Sequence, residues 1–128
     1  MIILAATDGQ PHSEKAVEYA FAFSRAFKAA LYVIYVVSPK SNEDKDKNIK
    51  NGMRVLGRTK IRGAELGVEV NALLEAGDPS DTIVGAAERI EADLLVIGSS
   101  GRSGGLLGGK STSEQIFKNA HCTVTVVR

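Results

Sequence analysis

Short apolar segments alternate with amphipathic segments along the whole chain, and this alternation restricts the possible folds more than any other feature. The apolar segments are IILAAT (2–7), LYVIYVV (31–37), VEVNALLEA (68–76), DLLVIG (93–98) and TVTVVR (123–128). Strands that alternate with helices pair in parallel, because parallel neighbours need a crossover connection between them. The pattern therefore predicts a βαβαβαβαβ domain over 1–128, with helices covering both faces of a parallel sheet.

The first two intervening segments carry helix signals of different strength. Ser13 is a suitable N-cap for a helix over about 14–28, in which the apolar residues at helical spacing are Val17, Ala20, Phe21 and Phe27. The segment 41–66 is predicted to contain a longer helix whose apolar face includes Ile49, Met53 and Leu56. Three glycines weaken that helix by about 1 kcal/mol each relative to alanine; they are Gly52, Gly57 and Gly63.

The last two helices have clearer start signals. Asp78 is a good N-cap and Pro79 suits the first helical position, so a helix is predicted over about 79–91. A final helix is predicted over about 112–119. Ser111 and Glu114 form a capping-box pattern at its start.

Composition excludes several classes of protein. The net charge is +1 and the chain has no tryptophan, whereas a nucleic-acid-binding domain normally has a clear basic excess. The apolar runs reach only about seven residues, far short of a membrane span. The start MIILAATDG lacks the basic region of a signal peptide and is expected to be a strand. We expect no nucleic-acid partner and no membrane partner.

The single cysteine, Cys122, indicates a reducing compartment, so a cytoplasmic location is expected. Cys122, His12 and His121 do not have the spacing of metal ligands. The sequence also contains no recognisable nucleophile–base pair and no paired carboxylates. Little or no catalysis is therefore expected, and any hydrolysis would be slow.

The loops at the carboxyl ends of the predicted strands are the candidate ligand site, because open parallel sheets bind ligands where the strand order reverses. Asp8 follows the first strand, Val36 lies near the end of the second, and residues 98–112 follow the fourth. Asp8 is a carboxylate suited to ribose hydroxyls or a bound metal. The alternative is an Asx-turn in which Asp8 satisfies local backbone amides.

The stretch GGLLGGKST (104–112) fits the P-loop pattern G-x-x-x-x-G-K-[ST]. A P-loop begins directly after its strand. Here the strand ends at Gly98, and SSGRS separates it from the pattern. Only one strand follows, and it ends in Arg128 without the carboxylate that holds magnesium in P-loop hydrolases. A P-loop hydrolase is therefore the third of three alternatives.

The longer loop, Gly98-Ser-Ser-Gly101 followed by RSGGLLGGK and STSE, resembles the signature G-x2-G-x9-G-[ST] of the universal stress protein family. The segments AATDGQPHSEKAVEYA, LEAGDPSDTIVGAAE, ADLLVIGSSGRSG and AHCTVTVVR are similar to other parts of that family, in the same order. The resemblance implies a flavodoxin-like, adenine nucleotide α-hydrolase-like domain with strand order 3-2-1-4-5. It also implies an ATP site, with or without Mg²⁺ held through Asp8.

The resemblance also implies which residues contact the nucleotide. The strand ends contribute Ala6, Thr7, Asp8, Val36, Ile97 and Gly98. The loop and the following helix start contribute Gly101, Arg102, Gly109, Lys110, Ser111, Thr112 and Ser113. Glycines allow close approach of the backbone to phosphates, and a helix N-terminus favours an anion.

The third glycine of the signature is replaced. Depending on the register, Lys110 or Ser111 takes its place, and the capping box favours the register with Lys110. A lysine there either obstructs the phosphates or, with Arg102, adds positive charge to them. Two functions follow: an ATP-binding regulatory protein or, as the alternative, a nucleotide-free dimeric interaction module. In both, a homodimer is expected through the edge strand 123–128.

Overall fold

The computed structural model describes residues 1–38, 45–99 and 112–128. These residues form five strands and four helices: β1 (Ile2–Ala6), α1 (Pro11–Phe27), β2 (Ala30–Val37), α2 (Lys45–Glu65), β3 (Val70–Ala76), α3 (Pro79–Arg89), β4 (Leu94–Gly98), α4 (Thr112–Asn119) and β5 (Thr123–Val127). The predicted alternation of strands and helices is confirmed.

The five strands form one parallel sheet in the order β3-β2-β1-β4-β5, as predicted. The central strand β1 pairs with β2 through Ile2 and Ala30, and with β4 through Ile3 and Leu94. The chain runs outward from β1 to β3 and then returns to the other side of β1 for β4 and β5. The strand order therefore reverses between β1 and β4, where a ligand crevice is expected.

Each face of the sheet has its own apolar core, because successive side chains of a strand point to opposite faces. Helices α1 and α2 cover the face that carries Ile3 and Ala5 of β1. Helices α3 and α4 cover the face that carries Leu4, together with Ile34 and Leu95 of the neighbouring strands. Every side chain named here is 0% exposed. The sheet is thus covered on both faces, as predicted.

The predicted N-cap of α1 is wrong. The helix begins at Pro11, with Gln10 in the cap position, so Ser13 lies inside the first turn. Proline suits the first helical turn because its fixed φ is helical and its missing N–H leaves no donor unsatisfied there. The Ser13 hydroxyl is buried and bonds to the segment between β1 and α1 instead of capping the helix.

Two residues predicted on apolar helix faces are exposed, Phe27 of α1 at 62% and Met53 of α2 at 61%. Phe27 is the last residue of its helix and packs against Phe23, with 4.5 Å between ring centroids and an angle of 34° between the rings. In α2 the buried face includes Gly52 and Gly63, which allow close approach. A Cβ at Gly52 would lie 2.7 Å from atoms of Leu74 and Tyr35.

The predicted start of α3 is confirmed. The Asp78 carboxylate accepts a hydrogen bond from the Asp81 amide at 3.1 Å, and Pro79 is the first residue of the helix. The predicted bounds of α4 are also confirmed. Its capping box involves Ser111, which lies outside the described residues.

Candidate functional site

The candidate site lies where the carboxyl ends of β1 and β4 adjoin. The last pair of the β1–β4 ladder is Ala5 with Val96, and Thr7 and Gly98 each lie two residues beyond it. The Thr7 amide donates to the Ile34 carbonyl oxygen at 3.0 Å, which extends the β1–β2 ladder beyond Ala6. The chain then leaves the sheet at Asp8 and enters α1 at Pro11.

Asp8 is held in a defined orientation at this edge. Its Oδ1 accepts a hydrogen bond from the Gln10 amide at 2.9 Å and another from the Ser13 hydroxyl at 2.8 Å. The first bond is the Asx-turn that the sequence left as an alternative. The Asp8 side chain remains 47% exposed, and its Oδ2 lies 3.8 Å from Nε2 of His12. The turn is therefore present, and the Asp8 side chain is still partly exposed to solvent.

The Ser13 hydroxyl joins the strand end to the first turn of α1. Its single proton goes to the Asp8 carboxylate, which is the nearer of its two acceptors; the Gln10 carbonyl lies at 3.0 Å. Its oxygen accepts from the Asp8 amide and from the Thr7 hydroxyl, each at 3.1 Å. The Thr7 hydroxyl in turn accepts from the Gly9 amide. Hydrogen bonds linked in this way fix the loop between β1 and α1.

Gly98 packs against the same helix turn. A Cβ at this position would lie 2.3 Å from the His12 carbonyl oxygen and 3.0 Å from the Ser13 Cα. Only glycine therefore lets α1 begin this close to the end of β4. Gly98 was predicted to belong to a phosphate-binding loop. It also determines how closely the helix that carries Ser13 approaches the end of β4.

Three apolar residues of the predicted site share one face of the sheet. Ala6, Val36 and Ile97 belong to the core under α3 and α4, near the carboxyl ends of β1, β2 and β4. Ile97 is buried, and the other two are half-buried. The structure thus brings these three together beside Thr7 and Asp8.

The remaining predicted residues belong to the loop after β4. Thr112 and Ser113 are half-buried and form the start of α4. The others lie outside the described residues: Gly101, Arg102, Gly109, Lys110 and Ser111.

Sequence reasoning missed two contributors to this site, the Ser13 hydroxyl and the Gln10 amide. Ser13 was assigned to the helix cap because serine is common there. A signal was nevertheless present: Pro11 marks the first helical position, which places Ser13 within the first turn of the helix and not at its cap.

The site contains no group of three or more metal-ligating side chains among residues 1–38, 45–99 and 112–128. A cation there would need oxygens from its own ligand besides the Asp8 carboxylate. Cys122 precedes β5 and so lies at the opposite, amino-terminal edge of the sheet. Burial raises the pKa of the Cys122 thiol, which disfavours the reactive thiolate.

A cavity of about 470 Å³ also lies at the amino-terminal edge. It is formed by the end of α1 and the starts of β2 and β3, and its walls include Lys28, Gly67 and Asn71. It does not adjoin the Asp8 edge. A ligand bound in this cavity would contact residues other than those of the candidate site, so the two positions can be distinguished by experiment.

The fold is that of an α/β protein with a doubly wound parallel sheet, and its polar edge lies beside the central strand. Residues 1–128 match the family described as the Universal stress protein family, and the chain belongs to this family. A universal stress protein of Methanocaldococcus jannaschii is 35% identical over 98% of this chain and 81% of its own length.

Two solved structures have the same fold. A universal stress protein in complex with cAMP is 26% identical and superposes with a TM-score of 0.82, covering 100% of this chain and 97% of its own. A universal stress protein from Lactobacillus plantarum has a TM-score of 0.85 at 20% identity, with coverage of 100% and 97%. None of the helices in the described residues has the length and apolarity needed to cross a membrane.

Proposed function

We propose that this protein binds an adenine nucleotide at the carboxyl edge between β1 and β4 and acts as a regulatory protein with little or no catalysis. The observation that carries the proposal is the orientation of Asp8. Its Oδ1 is bonded within the protein, while the side chain remains 47% exposed at the point where the strand order reverses. An acceptor held in this way suits a ligand that presents hydroxyl donors.

The surroundings of Asp8 suit the other parts of a nucleotide. Ala6 and Val36 are half-buried and supply apolar surface near the strand ends, which suits an adenine ring. The start of α4 at Thr112 supplies backbone N–H groups and the positive end of a helix dipole, which suit a phosphate. The relative whose solved complex contains cAMP is 26% identical to this chain over its whole length, which supports the same class of ligand here.

We further propose that ATP is the ligand, with or without Mg²⁺ held through its phosphates; Asp8 would then contact either the ribose hydroxyls or the metal. The support is the sequence of the loop after β4, in which Gly98 and Gly101 have the spacing of the family signature and Arg102 and Lys110 add positive charge. The proposed setting is the cytoplasm, in a stress-response role.

The test is the nucleotide content and affinity of the purified protein. We expect denaturation to release an adenine nucleotide, identified by mass spectrometry, and ATP to bind the nucleotide-free protein in calorimetric titration. Asp8→Ala should weaken ATP binding about tenfold or more, the effect of losing a hydrogen bond to a charged group. Asp78→Ala is the matched control, because Asp78 is also an aspartate at this edge but caps α3 after the outer strand β3. No released nucleotide and no binding at millimolar ATP would refute the proposal.

A second candidate function, a nucleotide-free dimeric interaction module, is favoured by the edge strand β5. This strand pairs only with β4 among the described residues, and Val126 is 40% exposed on it. We propose that two copies pair through this edge whether or not nucleotide is bound. Light scattering gives the mass of the particle, and a dimer that binds no adenine nucleotide would select this second function.

A P-loop hydrolase makes a different prediction. Brisk magnesium-dependent ATP turnover that survives Asp8→Ala and is lost in Lys110→Ala would select it over both other functions. We expect no such turnover.

A further inference from the structure

Charge is distributed unevenly between the two faces of the sheet. Helix α2, on the face that carries Ile3, contains seven basic residues and two acidic ones. On the opposite face, α3 and its flanking residues, 78–93, contain five acidic residues and one basic one. The chain as a whole has a net charge of only +1. Copies of the protein therefore do not repel one another through their net charge, although each carries two surfaces of opposite sign.

The outer side of α2 presents exposed basic side chains. Four exposed residues recur there at helical spacing, and we call them the basic surface: Lys47, Lys50, Arg54 and Ile61. They lie opposite Gly52 and Thr59, which are buried. Within the part of the chain that the structure describes, the three cations form no ion pair with a carboxylate, whereas Arg58 and Arg62 of the same helix pair with α1.

The outer side of α3 presents the complementary charge. Three exposed carboxylates lie on the same side as Gly85 and away from the buried Ile83, and we call them the acidic surface: Asp78, Asp81 and Glu88. The Glu88 carboxylate lies 2.9 Å from Nε2 of His121, but its side chain remains 51% exposed. The one basic residue of the segment, Arg89, is paired with Glu75 of β3.

The two surfaces match in spacing as well as in sign. Lys47 and Arg54 are seven residues apart along α2, and the Asp81 and Glu88 carboxylates of α3 are seven residues apart as well. Seven residues of helix span about 10.5 Å, so both cations can meet both carboxylates at once. Gly85, which lies between the two carboxylates, has no side chain to keep a second helix away.

We propose that the basic surface of one copy docks against the acidic surface of a second copy. The two surfaces belong to opposite faces of the sheet, so a copy that is bound through one surface keeps the other available. Such contacts are head-to-tail, and they produce rings or open chains of copies instead of a closed pair. This association needs neither a nucleotide nor pairing through β5, and it goes beyond the proposed function.

An anionic membrane is the other occupant that a basic helix suggests, and the composition of α2 argues against it. Helices that bind membrane surfaces insert Trp, Phe or Leu side chains. The basic surface contains one apolar side chain, Ile61, and no aromatic residue. The carboxylates of the acidic surface, by contrast, are supplied by the same protein.

The test is the mass of the nucleotide-free protein in sedimentation velocity at increasing protein concentration. In about 20 mM salt we expect the weight-average mass to rise beyond that of a dimer. In about 500 mM salt it should fall back, because salt screens contacts between exposed charges. A mass that does not depend on salt or on protein concentration would overturn the proposal.

Charge reversal tests which surfaces meet. Lys47→Glu/Arg54→Glu and, separately, Asp81→Lys/Glu88→Lys should each raise the dissociation constant about tenfold or more, because two attractive pairs become repulsive. The four changes together restore opposite charges and the original net charge, so the combined variant should associate as the wild type does. Failure of this variant to regain association, with an unaltered far-UV circular dichroism spectrum, would refute the pairing.

Lys15→Glu/Lys28→Glu is the matched control, because both lysines are exposed on or next to α1 and the variant has the same net charge as Lys47→Glu/Arg54→Glu. It should associate as the wild type does, and so should Val126→Lys at the β5 edge. An equal loss of association in the lysine control would show an effect of net charge alone and refute the docking. Binding of the wild type to phosphatidylserine vesicles without self-association would also refute it and assign the basic surface to a membrane. None of these outcomes alters the nucleotide titrations that test the proposed function.

Discussion

Replacement of Gly98 by alanine tests how closely helix α1 packs against the end of β4. The added Cβ would lie 2.3 Å from the His12 carbonyl oxygen and 2.8 Å from the carbonyl carbon. Real Cβ atoms essentially never come within 3.0 Å of another heavy atom, so one side must move by about 0.7 Å. Both contacted atoms belong to the backbone of α1, which cannot rotate away as a side chain would.

The expected cost follows from this geometry. Overpacking of a filled interior costs about 1–3 kcal/mol, and a backbone contact belongs at the upper end of that range. We therefore expect Gly98→Ala to lower the free energy of unfolding by about 3 kcal/mol. With a urea m-value of about 2 kcal/mol/M, the unfolding midpoint should fall by about 1.5 M.

The assay is urea unfolding followed by far-UV circular dichroism, with Gly85→Ala as the control. Gly85 lies in α3, and a Cβ there would meet no heavy atom within 4 Å. Alanine at that position should raise stability by about 0.5–1 kcal/mol, because it is the better helix former. Equal midpoints for Gly98→Ala and the wild type would refute the close packing described above.

Three further predictions concern other parts of the fold. Asp78→Ala should lower the free energy of unfolding by about 1 kcal/mol in urea, because it removes the cap of α3. Val126→Lys should convert the proposed dimer to a monomer in light scattering, because a charge on an edge strand opposes pairing. Burial raises the pKa of Cys122, so its thiolate fraction is low. Its alkylation by iodoacetamide at pH 8 should therefore be slower in the folded protein than in urea; equal rates would contradict this.

The topology was predictable because its signals are local. Apolar runs of strand length, the turn at Asp8, and Asp78-Pro79 at a helix start each depend on a few adjacent residues. These signals gave the number, order and type of the elements. The resemblance to a family supplied the strand order, which the chain confirms.

The predictions that were wrong depend on contacts between segments that are far apart in the sequence. Gly52 was interpreted as a weakness of α2, whereas it lies on the buried face because Leu74 and Tyr35 of neighbouring strands occupy the space of a Cβ. Met53, the more apolar neighbour, faces solvent as a result. Hydrophobicity alone cannot identify a helix face that packs through glycine.

The position of the candidate site could be proposed from local signals in the sequence, whereas its hydrogen bonds could not. Asp8 and Gly98 follow from the rule that ligands bind at the carboxyl ends of strands. The part played by Ser13 depends on a hydrogen-bond network that only the folded chain brings together. The contributions of Gly101, Arg102, Gly109, Lys110 and Ser111 remain predictions from the sequence.

The central claim, an adenine nucleotide bound at the Asp8 edge, is tested most directly by backbone amide NMR during titration with ATP. The account predicts that the largest shift changes fall on Asp8, Gly9, Gln10 and Gly98, at the carboxyl ends of β1 and β4. Absence of shifts at millimolar ATP would contradict it. So would shifts centred on Lys28 and Gly67, which line the cavity at the opposite edge of the sheet.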